Sequence, residues 1–79
     1  MMDERSSVVL TEDLPDYDLV AGDVGTVVLV HGGGAGYEVE FVALNGQTLA
    51  VVSLRADQVR PIGAREIAHA WSVAAAPHA

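Results

Sequence analysis

Three features of the 79-residue sequence predict a small, mainly β domain of five short strands with a C-terminal α-helix. Short β-branched and aliphatic runs recur along it, separated by clusters of Gly, Pro, Asn and Asp. One run alternates strictly, with Tyr37, Val39 and Phe41 on one face and Glu38 and Glu40 on the other. That is the pattern of a strand with one buried face and one wet face. The last stretch, residues 64–76, is alanine-rich and free of Gly and Pro, which favours helix.

The elements follow in order. Residues 1–6 read as a flexible N-terminus, and Ser7-Val8-Val9-Leu10 as the first strand. A long loop comes next, carrying the breakers Glu12, Asp13, Pro15, Asp16 and Asp18. A loop of that length must pack onto the body, and Leu14, Tyr17 and Leu19 are the apolar residues it has for the purpose. Residues 23–30 form the clearest strand, nearly all β-formers. Gly25 interrupts it, which marks a bulge, a bend or the close approach of another backbone. Residues 31–36 hold four glycines and an alanine and read as a turn.

Residues 37–42 and 48–54 are strands, and Asn45-Gly46 between them predicts a type I′ hairpin with φ > 0 at both positions. Residues 55–58 fit one 3₁₀ turn. Residues 59–62 are extended, since Pro61 biases Arg60 away from helix. In the tail, Ala64, Ile67, Ala68, Trp71 and Ala75 fall at helical spacing on one face, and Pro77 ends the helix. A helix of about three turns is marginal alone in water.

Five strands, a long first loop, two tight hairpins and a 3₁₀ turn before the last strand describe an SH3-like barrel over residues 7–62, with a helical tail over 63–79. Val8 to Pro15, then Ala21-Gly22-Asp23-Val24-Gly25-Thr26-Val27-Val28, Tyr37 to Phe41 and Gln58-Val59-Arg60-Pro61 carry a resemblance. They resemble a bacterial and archaeal family of small stand-alone proteins known only as a domain of unknown function. Its signature is Gly-Asp-x-Gly-Thr-Val-Val. The resemblance covers about residues 8–62 and implies an SH3-like barrel. It implies no activity and no catalytic residues. More broadly, Gly22-Asp23-x-Gly25-x-Val27 is similar to the first strand of KOW-type modules, which bind RNA or protein.

Composition narrows the function classes. Eleven Asp and Glu stand against four Arg, with no Lys, for a formal charge of −7. Seven of the acids lie in the first 23 residues, and Arg55, Arg60 and Arg65 lie in the last third. This balance argues against phosphate-backbone binding as the main role. With no Cys, a disulfide scaffold, a thiolate zinc site and a thiol nucleophile are excluded. No apolar run is long enough to span a bilayer. Nor does the start have the basic end and apolar stretch of a signal peptide. The expectation is a soluble cytoplasmic domain.

Chemistry-bearing motifs are sparse. His31-Gly32-Gly33-Gly34 matches the oxyanion loop of some esterases, but no Gly-x-Ser-x-Gly elbow accompanies it. It also fails as a phosphate loop, because a strand follows rather than a helix. Glu66 and His69 are two candidate metal ligands, short of a site. Asp16 and Asp18 lack the rest of a calcium loop. Ser6, Ser7, Ser53 and Ser72 show no His and acid in a recognisable arrangement. We therefore expect no catalytic residues, no metal, no cofactor, no small-molecule ligand, no nucleic acid and no membrane partner.

The informative anomaly is apolar excess. Strand alternation puts Val27 and Leu29 opposite Val24, Thr26, Val28 and Val30, and Leu49 and Val51 opposite Ala50, Val52 and Leu54. A barrel this small has one interior, so Val27, Leu29, Leu49 and Val51, or the alternate set, would form an outer apolar patch. Burying an aliphatic side chain is worth about 1.5–3 kcal/mol, so such a patch should be covered. The cover would be the tail folded back through Ile67 and Trp71, or another chain. Trp and Arg are favoured interface anchors, which singles out Trp71 and Arg65. The leading expectation is a non-catalytic protein–protein interaction module, self-associating or a small subunit of a larger assembly. The alternatives are a KOW-like nucleic-acid or ribosome-associated module using Arg55, Arg60 and Arg65, and an antitoxin or immunity-type partner of a basic protein.

Overall fold

The structure, a computed structural model, describes residues 2–73. Its five strands are β1 (Ser7–Leu10), β2 (Val24–His31), β3 (Gly36–Val42), β4 (Thr48–Arg55) and β5 (Val59–Pro61). Short 3₁₀ turns cover Pro15–Tyr17 and Ala56–Gln58. All five strands form one antiparallel sheet in the order β4-β3-β2-β1-β5.

The sheet is open, where the sequence predicted a closed barrel. β4 and β5 are both edges. The 3₁₀ turn hands the chain from one to the other with no ladder between them. β5 is three residues long and ends in Pro61, which has no N–H to give a second neighbour. The sheet nevertheless curls enough for residues of every strand to meet. Val8 and Leu10 of β1, Val27 of β2, Tyr37, Val39 and Phe41 of β3, Val52 and Leu54 of β4 and Val59 of β5 form one core with Leu19.

Alternation on β3 holds as expected, with Tyr37, Val39 and Phe41 buried. Gly25 is the close-approach glycine. It pairs with Val8, and a Cβ there would lie 2.5 Å from Val39 Cγ1 and 2.8 Å from Phe41 Cε1. The bulge comes later. The β2–β3 register shifts between Val27 and Leu29, so the count of inward and outward residues restarts at Val28. A second shift, between Phe41 and Val42, skips Leu49 on β4.

The long loop packs down through Leu19, which is buried, and Leu14, which lies against the core. Tyr17 stays largely exposed. Leu14 and Leu19 bridge each other, and Asp18 turns the chain between them at φ 57°. The loop is closed by side chains as well. Asp13 Oδ1 accepts from Ala21 N–H and Asp23 Oδ2 from Val20 N–H, both at 2.9 Å. Gln58, the buried polar residue, accepts from Arg55 N–H at 2.8 Å and donates to Glu12 at 3.1 Å. It ties the 3₁₀ turn to the loop.

The Asn45-Gly46 hairpin forms, but not as type I′. Gly46 has φ 93°, and Asn45 is not among the described non-glycine residues with positive φ, which are Arg5 and Asp18. Gly46 N–H and Ala43 N–H bond Ala43 O and Gln47 O, each at 2.8 Å. This is a three-residue loop with a left-handed glycine at its end. At the N-terminus, Met2 packs against the core and Arg5 N–H bonds Val27 O.

The predicted C-terminal helix is absent among the described residues. Residues 64–65 are a turn and 66–73 follow with no regular secondary structure, and 74–76 lie outside the described residues. Glu66 accounts for the departure. Its carboxylate accepts from Gly63 N–H and from Arg60, which ties the first tail residues back to β5. Alanine content is a weak force against such contacts, because most helical stability in proteins comes from a packed face.

Candidate functional site

The candidate site is the outer face of the sheet. Its centre is set by β3, whose alternation sends Glu38 and Glu40 outward. Glu38 stands between Leu29 and Ser53 in register, and Glu40 between Thr26 and Val51. Further along, Val9 of β1 lies between Val24 and Arg60.

Both glutamates are engaged. Glu40 accepts from Thr48 Oγ1 at 2.8 Å. Glu38 Oε2 accepts from Ser53 Oγ and meets His31 Nε2 at 2.7 Å. The Ser53 hydroxyl, and then His31, hold the Glu38 carboxyl below its ordinary pKa. This cluster brings together a Ser, a Glu and a His that are scattered in the sequence. The carboxylate sits in the middle, so Ser53 donates to an acid that is a weak base rather than to an imidazole. It lacks the nucleophile–base–orienter order of a triad. Among the described residues no three or more His, Asp or Glu gather as metal ligands.

The residues expected on the patch divide. Val27 is not on it: the residue is 0% exposed in the core, because Gly25 and Val27 share the inward phase of β2 before the bulge. Leu29 and Val51 are half-exposed on the outer face, and Leu49 is half-buried beside them. Val24 and Val42 complete the apolar surface and are also half-exposed. Alternation alone would have found Val24, as the outward member of the phase that holds Gly25 and Val27 inside. Val9 could have been inferred from the pair Val8-Val9, of which one must face out.

The tail crosses this face. Arg60 and Glu66 form a bidentate pair at 2.7 and 2.6 Å. Together with Gly63 N–H, the guanidinium lowers the Glu66 carboxyl to about 2 and raises Arg60 in turn. The Trp71 indole N–H donates to Asp23 Oδ1 at 2.7 Å. Arg65 and Ile67 make no such contact and are exposed. Between tail and sheet lies a hollow of about 1190 Å³, lined by Val9, Val24, Val42, Leu49, Ile62 and Trp71 among others. The Asp23 and Glu66 tethers had no signal in the sequence, since nothing in the spacing pairs them.

With this geometry in place, the comparisons fix the family. The model of the "Domain of unknown function (DUF4926)" matches residues 4–61, more than half of the chain, and the chain belongs to that family. The match ends before the tail. No curated protein matches the chain, and no solved structure does. Among the described residues, no helix is long and apolar enough to cross a membrane.

Proposed function

We propose that this protein is a non-catalytic protein–protein interaction module that self-associates through the outer face of its sheet. One observation carries the reading. The inner face is filled by a single core, while Val24, Leu29, Val42 and Val51 stand half-exposed on the other side. One face of a small sheet can be wet, but it then reads polar rather than valine-rich. The strand order and the 3₁₀ turn before β5 support an SH3-like arrangement, opened at the β4 and β5 edges. The tail takes part as a segment without regular secondary structure.

The nucleic-acid alternative draws less support. Two of its three arginines already have carboxylate partners, Arg55 with Asp57 at 3.0 Å and Arg60 with Glu66.

Light scattering across protein concentration tests the proposal. The expected mass exceeds the 8.2 kDa of one chain. Leu29→Lys and Val51→Lys, each placed on the outer face, should return it to one chain without changing the far-UV circular dichroism. A wild type that stays monomeric at high concentration would sink self-association.

A further inference from the structure

We infer that residues 63–73 are a releasable strap over the Val9–Val24 end of the outer face, so that the docking face exists in a strapped and an open form. The inference rests on the outer face being the docking surface. The strap is held at two points. At its root, Glu66 takes both Arg60 nitrogens and Gly63 N–H. At its far end, Trp71 donates to Asp23, whose second oxygen is occupied by Val20 N–H. Asp23 is therefore a fixed post, built by the acidic loop.

Between the two tethers the strap is not packed. Ile67, its one large aliphatic side chain there, is 93% exposed. The 1190 Å³ hollow lies beneath it. A segment docked by hydrophobic burial closes such a space, because interiors pack to crystal density. Here the reverse holds: polar contacts bridge over an apolar floor. Val9 shows what the floor is. It points away from the core and is still only 5% exposed. The tethers are partly open to water, with Trp71 39% exposed and the Arg60 and Glu66 side chains 45% and 40% exposed, and ion pairs that water reaches hold weakly. Breaking them uncovers the floor without disturbing the core. A second chain seated on Val24 must first displace Trp71.

Trp71 is the only tryptophan, so its fluorescence reports the strap directly. Glu66→Ala and, separately, Arg60→Gln remove the root tether in the full chain. Each should shift Trp71 emission to the red and raise its quenching by acrylamide and the binding of an apolar dye. Far-UV circular dichroism should stay unchanged. Unaltered emission and quenching in both variants would overturn the strap. So would wild-type emission that shifts to the blue as protein concentration rises, since the indole would then be buried on a neighbouring copy rather than displaced by it. If the strap opens but both variants remain monomeric at high concentration, the strap stands and self-association falls.

Discussion

Gly25 shows how a single missing side chain shapes the sheet. Its backbone faces inward, opposite Val8, and the space a Cβ would need is filled by Val39, Phe41 and Glu40 O, the last at 3.0 Å. Two of those neighbours are fully buried and cannot swing away. Gly25→Ala should therefore destabilise by about 1–3 kcal/mol, the usual cost of overpacking, read as a lower urea midpoint. Two residues on, Val27 tests the phase of the strand. Val27→Ala should cost about 1.5–3 kcal/mol, the worth of a buried valine, while Leu29→Ala should cost under about 0.5 kcal/mol. Equal losses would place the bulge elsewhere. Sequence could not make this assignment. Val27, Val28 and Leu29 are all apolar, so the skipped residue leaves no polar mark to break the alternation.

At the scale of elements, what could be read was whatever local chemistry dictates. The five strands appear close to their expected spans, as do the 3₁₀ turn before β5 and the apolar grip of the long loop through Leu19. β-branched runs, breakers and prolines act over a few residues and are visible as such. The tail was misread because its conformation is decided by partners distant in the chain. Helical spacing of Ile67 and Trp71 means little when Ile67 packs on nothing and Trp71 is held by Asp23, 48 residues away. Linkage gives that element a pH window. The Glu66 carboxyl is depressed to about 2 in the folded chain, against about 4.3 when unperturbed. Its contribution is fully present above the higher value and is lost as pH falls through the lower one. Trp71 emission should accordingly hold down to about pH 4 and shift red as pH nears 2. A transition centred near pH 6 would mean that a group other than Glu66 holds the strap. The loop-to-turn tie makes a separate prediction. Gln58→Leu leaves Arg55 N–H and Glu12 without their amide partner, and should cost about 1–3 kcal/mol in thermal or urea unfolding.

For the molecule as a whole, charge and apolar surface oppose each other, and salt separates the ways in which it could associate. The formal charge is −7, with seven of the eleven acids in the first 23 residues and Glu38 and Glu40 on the outer face itself. Two copies meeting through that face bring like charges together. Their approach is resisted over roughly the Debye length, about 8–10 Å near physiological ionic strength. The apolar gain from Leu29, Val51 and Val24 must exceed this repulsion. Self-association should therefore strengthen as sodium chloride rises from about 50 mM to about 500 mM, where screening removes most of the repulsion between exposed charges. A basic protein partner would behave oppositely, since its attraction to the acidic loop is screened by the same ions. Sedimentation equilibrium at the two salt concentrations reads the sign directly. Tighter association at high salt places the driving force in the apolar face. A complex that loosens with salt would instead assign it to the acidic loop and to a cationic partner.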